Sequence, residues 1–82
     1  MEVQSVVLKK EQYPTLKSAE KEVKALEFKL RFKNKGVDET LNTWRFRQEA
    51  PSKFNPKSYR MKEIKKGVLL VIGYKKKSWY II

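Results

Sequence analysis

The chain contains no cysteine and no histidine. Without cysteine it has neither a disulfide framework nor a thiolate ligand for zinc. Without histidine it lacks the commonest general base, the commonest metal ligand and the usual activator of a catalytic serine or cysteine. We therefore expect a protein that is not an enzyme and that uses no metal ion or cofactor.

Acidic residues are also scarce. Nine Asp and Glu stand against twenty Lys and Arg, which gives a net charge of +11 in 82 residues. Such an excess favours an anionic partner: nucleic acid first, either DNA or RNA, and an acidic membrane surface or an acidic protein second. The alternative interpretation is that lysines simply keep a small sheet protein soluble.

Long apolar runs are missing as well. The longest, Val68–Ile72, is far too short to span a bilayer, and Met1–Lys10 lacks the pattern of a signal peptide. We expect an intracellular protein that does not insert into membranes. A chain of this length predicts one small domain over residues 1–82.

Two segments alternate apolar and cationic residues with the period of two that is typical of a β-strand. In Phe28–Lys33 every second residue is Phe or Leu, and in Leu41–Gln48 Trp44 and Phe46 alternate with arginines. Antiparallel pairing of the two segments would gather five cations on one face of a ribbon. These cations are Lys29, Arg31, Lys33, Arg45 and Arg47.

This cationic face is the predicted nucleic-acid-binding site, and Arg60 and Lys62 join it if a later hairpin aligns in register. A cation at every second residue can follow the phosphates of a nucleic-acid strand. Arginines spaced as Arg45 and Arg47 can also fork onto phosphate oxygens or stack on bases. The alternative is a merely solvated sheet face. Few acids interleave with these cations, which favours the binding interpretation.

The remaining pattern predicts one helix and further strands. Thr15 is a suitable N-cap, and Leu16, Ala19, Val23 and Leu26 follow at helical spacing. The charged residues of this helix are of mixed sign, which indicates a structural role rather than an anion-binding surface.

Three further segments are rich in strand-forming residues. Val3–Leu8 opens the chain, and Tyr59–Ile64 and Val68–Tyr74 read as a hairpin with Gly67 in its turn and a bulge at Gly73. The element order β-α-β-β-β-β predicts an α+β fold, in which a single helix packs on a mostly antiparallel sheet of four to five strands. The residues expected in its core are Leu26, Phe32, Trp44, Phe46, Leu70 and Ile72.

Three other features have alternative interpretations. Phe54, in a loop with two prolines, is expected to fold inward, although an exposed ring would stack on a base. Asp38 and Glu39 are expected to be solvated loop carboxylates rather than an acid/base pair or metal ligands. The apolar tail, residues 78–82, is expected to pair as a strand or to bind a partner, including a second copy. Its binding residues would be Trp79, Tyr80, Ile81 and Ile82.

Several short motifs resemble a small, poorly characterised domain found in proteins of tailed phages and other viruses, sometimes near capsid-maturation proteases. The resemblance covers about residues 13–75 and does not include the tail. It implies a viral or mobile-element origin, a place in the host cytoplasm or the virion, and an accessory role without an active site. The matching motifs are Lys35–Thr40, Arg45–Gln48, Pro51–Phe54, Ser58–Arg60 and Lys65–Gly73.

The sequence thus predicts a small basic module of viral or phage type that binds nucleic acid through a cationic sheet face. Arg45 and Arg47 are expected to make the main contacts. The alternative is a protein–protein module, either a viral assembly component or an inhibitor of a host protein. In that case an acidic partner would meet the basic surface.

Overall fold

The structure is a computed structural model that describes residues 1–31 and 36–76. These residues form one α-helix and a five-stranded antiparallel sheet, which confirms the predicted α+β fold. Within the described ranges no helix is long and apolar enough to cross a membrane. The elements are β1 (Glu2–Lys9), α1 (Leu16–Ala25), β2 (Asp38–Glu39), β3 (Thr43–Arg47), β4 (Arg60–Lys65) and β5 (Val68–Gly73).

The first strand, β1, lies at the centre of the sheet, whose order is β2-β3-β1-β5-β4. It pairs antiparallel with β3 along one edge and with β5 along the other. Val6 lies opposite Phe46 of β3 and Leu70 of β5. Both β1 residues that face the helix in this stretch, Val6 and Leu8, are fully buried. The β-rich opening of the sequence is therefore the strand on which the sheet is assembled.

The core lies between the sheet and α1. Ala19 and Val23 of the helix are fully buried. The indole nitrogen of Trp44 donates a hydrogen bond of 2.8 Å to the carbonyl oxygen of Tyr13, so its polar atom is satisfied inside the fold. The core cluster consists of Val6, Leu8, Ala19, Val23, Trp44, Phe46 and Val68.

The core prediction is confirmed for Trp44 and Phe46, which are 8% and 1% exposed. Leu26, Leu70 and Ile72 are partly buried rather than fully buried, and the first two pack against the core cluster. Leu26 lies at the end of α1, and Leu70 and Ile72 lie further along β5 than the fully buried Val68. Phe32 lies outside the described residues.

Both ends of α1 are closed by hydrogen bonds. The Thr15 hydroxyl accepts from the Ser18 backbone N–H, and the Ser18 hydroxyl accepts from the Thr15 N–H, which confirms the predicted N-cap. At the other end Glu27 adopts φ 65°, and the Phe28 N–H donates to the Val23 carbonyl. This is a Schellman motif, and it turns the chain so that Phe28 packs back on the core.

The predicted pairing of Phe28–Lys33 with Leu41–Gln48 is wrong. β3 is hydrogen-bonded by β1 on one edge and by β2 on the other, so neither edge is open to residues 28–31. A side chain binds this segment instead. The side-chain amide of Gln48 accepts a hydrogen bond from the Lys29 N–H and donates one to the Lys29 carbonyl, both at 2.8 Å. These two bonds provide partners for both backbone polar groups of Lys29, as a neighbouring strand would.

The predicted hairpin of β4 and β5 is confirmed, with Lys66 and Gly67 in its turn. Gly67 has φ 85°, and a Cβ there would lie 2.6 Å from the Gln12 side-chain oxygen, so both conformation and space require glycine. The predicted bulge at Gly73 is wrong. The register shifts occur between Val3 and Ser5 of β1 and between Glu63 and Lys65 of β4.

Phe54 folds inward, as predicted, and is 1% exposed. It follows a short 3-10 turn, Pro51–Lys53, and its ring stacks on Tyr59 with the centroids 5.7 Å apart. Gly73 makes this packing feasible, because a Cβ there would lie 3.2 Å from carbon atoms of both rings. Burial excludes Phe54 as a platform for a base.

The contact between Gln48 and the Lys29 backbone yields the first prediction. Gln48→Ala should lower the free energy of unfolding by about 1–3 kcal/mol, because the Lys29 N–H and carbonyl lose their partners at a part-buried site. Urea unfolding followed by circular dichroism measures this loss. Lys29→Ala is the matched control, since the bound groups are backbone atoms, and it should cost under about 0.5 kcal/mol. Equal effects of the two substitutions would contradict the proposed role of Gln48.

Candidate nucleic-acid interface

The predicted site residues are divided between the two faces of the sheet. Residues opposite each other in neighbouring strands point to the same face. Arg45 lies opposite Val7, whereas Lys62 lies opposite Leu70, which is itself opposite Val6. We call the face that carries Val6 and α1 the helix-side face, and the other the open face.

The prediction that Arg60 and Lys62 share a face with Arg45 and Arg47 is therefore wrong. The two arginines of β3 point to the open face, whereas Arg60 and Lys62 of β4 belong to the helix-side face. The alternation of side chains within β3 and within β4 is as predicted. The register of β5 on β1 and of β4 on β5, however, places Arg60 and Lys62 on the face opposite to that of Arg45 and Arg47.

The arginines of β3 are engaged within the fold. The Arg47 Nε lies 2.8 Å from Asp38 Oδ2 in a salt bridge. Arg45 donates from Nε to the Ser5 hydroxyl at 3.0 Å and from Nη2 to Gln4 Oε1 at 2.7 Å. Gln4 and Ser5 are fully buried, so Arg45 completes a polar network beneath the open face.

The cations that follow the helix do not form the predicted ribbon face. Lys29 and Arg31 are exposed, but they lie in a segment without strand structure. Lys33 lies outside the described residues, as do Trp79, Tyr80, Ile81 and Ile82 of the predicted partner-binding tail. The structure therefore does not gather the seven predicted nucleic-acid contacts on one surface.

An open groove of about 620 Å³ lies between α1 and Leu30. Lys17, Lys21 and Lys24 line it from successive turns of the helix, and Glu20 lies among them. The mixed charge expected from the sequence is thus present in this groove, although lysine predominates. Its full lining is Thr15, Lys17, Ser18, Glu20, Lys21, Lys24 and Leu30.

Most of the acidic side chains are neutralised by internal ion pairs. All Asp and Glu side chains lie in the described part of the chain, and five of the nine make a salt bridge there. The excess positive charge therefore remains on the cations that have no such partner. The pairs are Lys10–Glu39, Arg47–Asp38, Lys53–Glu49, Lys65–Glu22, Lys75–Glu2 and Lys75–Glu49.

Asp38 and Glu39, expected to be solvated loop carboxylates, lie in β2, and each belongs to one of these ion pairs. Asp38 lies opposite Arg45 and binds Arg47, whereas Glu39 lies opposite Trp44 and binds Lys10. The two carboxylates thus point to opposite faces of β2. Across residues 1–31 and 36–76, no three acidic side chains are grouped in a way that could hold a metal ion.

Four exposed cations lie along β4 and its two ends, and we call this set the β4 cationic edge. Its members make no salt bridge with any residue that the structure describes. Every residue of β4 is exposed, and β4 is an edge strand. The set consists of Lys57, Arg60, Lys62 and Lys66.

The β4 cationic edge borders apolar surface that the helix leaves uncovered. α1 lies over β3 and β1, and Val68 at the turn end of β5 is fully buried. Further along β5, Leu70 and Ile72 are only half-buried, and they lie directly opposite Lys62 and Arg60. The helix-side face thus ends in a partly buried apolar strip, formed by Leu70 and Ile72, that Lys62 and Arg60 border.

The edge itself is poorly suited to accept another strand. Lysines on an edge strand and a bulge within it both oppose edge-to-edge pairing. β4 has both features: Lys62 and Lys65 are exposed, and the register shifts between Glu63 and Lys65. Side chains, rather than the open backbone edge, are therefore the groups that this region offers to a ligand.

Comparison of the chain with protein-family models, with curated proteins and with solved structures finds no match.

The internal ion pairs yield the second prediction. The hydrogen bond from Lys75 holds the pKa of the Glu49 carboxyl below its ordinary value. Lys75→Met should therefore raise the pKa of Glu49, measured by NMR titration of its side-chain carboxyl carbon. Lys57→Met is the control and should leave it unchanged, because Lys57 makes no salt bridge with Glu49.

The same pair has a defined effect on stability. Because the pKa of Glu49 is lower in the folded than in the unfolded state, the contribution of its ion pair with Lys75 to the free energy of unfolding is fully present above the ordinary glutamate pKa. It is lost as the pH falls through the folded pKa. A Glu49 pKa that is identical in wild type and Lys75→Met would show that the ion pair does not form in solution.

Proposed function

We propose that the protein is a small, non-catalytic module that binds nucleic acid through the β4 cationic edge. One observation supports this proposal: four exposed cations along β4 and at its ends make no salt bridge in the described structure, whereas five of the nine acids are paired with other cations, one of them with Lys65 of β4. Such a surface attracts a polyanion and releases its condensed counterions on binding.

The spacing of the cations suits a phosphate backbone. Arg60 and Lys62 are two residues apart on one strand, which is about 6.6–6.8 Å, and they point to the same face. Lys57 precedes β4 in the chain and Lys66 directly follows it. Contacts of this kind position a protein on nucleic acid but carry little sequence information. Binding is therefore expected to be largely independent of sequence.

Two other basic regions support the proposal less well. On the open face the charge of Arg47 is neutralised by Asp38, and Arg45 is held by the buried Gln4 and Ser5 side chains. In the helix groove, Glu20 lies among the lysines and would repel a phosphate. The β4 cationic edge has Glu63 on its strand, but this residue points to the open face.

The resemblance to a phage-associated domain belongs to the same proposal. A non-catalytic accessory role is what that resemblance implies, and nucleic-acid binding is one such role. The viral origin and the compartment are part of the proposal on this basis.

The third prediction concerns salt dependence. If the β4 cationic edge neutralises about four phosphates, log K should fall with log salt with a slope of about −2.8 on single strands and about −3.6 on duplex DNA. Between about 50 and 200 mM monovalent salt, affinity should then fall by roughly 50- to 150-fold. Fluorescence anisotropy with a labelled oligonucleotide measures this. Arg60→Ala combined with Lys62→Ala should flatten the slope by about 1.5–2 units.

The matched control removes the same charge from the helix. Lys21→Ala combined with Lys24→Ala should change the slope much less, because these lysines share their groove with Glu20. Equal effects of the two double variants would indicate attraction by bulk charge instead of a defined surface. No binding by the wild-type protein at about 50 mM salt would refute the proposal. An acidic protein partner would then be the better hypothesis.

A further inference from the structure

We propose that the ligand is single-stranded nucleic acid and that Tyr74 is the platform on which one of its bases stacks. This inference deepens the proposed function and rests on it. It assigns a chemical class to the ligand and a role to a residue that the cationic pattern does not include.

Tyr74 is the one strongly exposed aromatic residue among those the structure describes, with 59% of its surface accessible. Trp44, Phe46 and Phe54 are buried in the fold. The other described aromatic side chains are half-buried, namely Tyr13, Phe28 and Tyr59. The Tyr74 hydroxyl makes no hydrogen bond with any described residue, so the interior of the fold does not account for the position of the ring.

The position of Tyr74 places it beside the β4 cationic edge. It directly follows β5, and a Cβ at the preceding Gly73 would point toward Phe54 and Tyr59. By the alternation of an extended chain, Tyr74 therefore belongs to the opposite, helix-side face, two residues beyond Ile72. Ile72 lies directly opposite Arg60, so the aromatic ring and the cationic row border the same apolar strip.

The backbone of Tyr74 is fixed on both sides. Its N–H donates to the Ser58 hydroxyl at 2.9 Å, and its carbonyl oxygen accepts from the Asn55 N–H at 2.9 Å. The next residue, Lys75, forms a β-bridge with Phe54. An exposed ring on a fixed backbone loses little conformational freedom when it stacks on a ligand.

This combination of groups discriminates between single and double strands. In a duplex the bases are already stacked on each other and are not free to cover an aromatic ring. In a single strand each base has a free face, and proteins that bind single strands combine a cationic track with aromatic platforms. Half-buried Leu70 and Ile72 add apolar surface between the ring and the cations. DNA and RNA share this chemistry.

The test compares Tyr74→Ala with Tyr74→Phe on labelled single strands of about 15 nucleotides, oligothymidylate and oligouridylate, and on a GC-rich duplex of the same length. The wild type should bind the single strands more tightly. Tyr74→Ala should weaken single-strand binding by about 5- to 100-fold with an unchanged salt slope. Duplex binding should be unaffected, and Tyr74→Phe should behave as wild type. Comparison of the two single strands shows whether DNA or RNA is preferred.

Met61→Ala is the matched control, because Met61 is 60% exposed and lies on β4 but points to the open face. It should leave both affinities unchanged. Wild-type binding of duplex as tight as of single strands, or an equal loss on both ligands in Tyr74→Ala, would overturn this inference and leave the proposed function standing. Absence of binding to every oligonucleotide would overturn both.

Discussion

Hydrogen bonding along both edges of β1 is the constraint on which the rest of the structure depends. Because β3 and β5 occupy these edges, the two local pairs, β2 with β3 and β4 with β5, are held on opposite sides of one central strand. The register then sets which residues meet α1. Val6 and Leu8 are buried between neighbours on both sides, and they form one core cluster with Ala19 and Val23 of the helix.

The same arrangement separates the positive charges. The arginines of β3 lie on the open face, where Asp38 of the adjacent β2 neutralises Arg47. Arg60 and Lys62 of β4 lie at the far edge of the sheet, where they make no salt bridge with a described carboxylate. A chain with the same composition but a different strand order would present a different basic surface. Net charge therefore suggests a class of partner, whereas strand order determines which surface of the protein would bind that partner.

Local sequence patterns were sufficient to predict the elements that are determined by interactions between residues close in the chain. The helix after Thr15, the hairpin around Gly67 and the inward position of Phe54 follow from capping, turn chemistry and the proline-bounded loop. The burial of Trp44 and Phe46 follows from their alternation with arginines. Each of these features depends on residues that are close in the chain.

Features that depend on distant residues were not predictable in this way. Phe28–Lys33 alternates as a strand does, but β1 and β2 occupy both edges of β3. β2 has only two residues, too few to show a period, so the role of Asp38 as the partner of Arg47 left no pattern in the sequence. The contribution of Lys57 and Lys66 becomes visible only when the positions of all carboxylates are known.

A titration of ¹⁵N-labelled protein with oligothymidylate, followed through the backbone amide signals, tests the central claim most directly. If the helix-side face beyond α1 is the interface, the largest shifts should map to Arg60–Lys62, Leu70, Ile72 and Tyr74. The amides of β3 and of α1 should change little. Shifts concentrated at Arg45–Arg47, or at the lysines of the helix groove, would contradict the account, because the interface would then lie on a surface whose cations are neutralised or interleaved with acid.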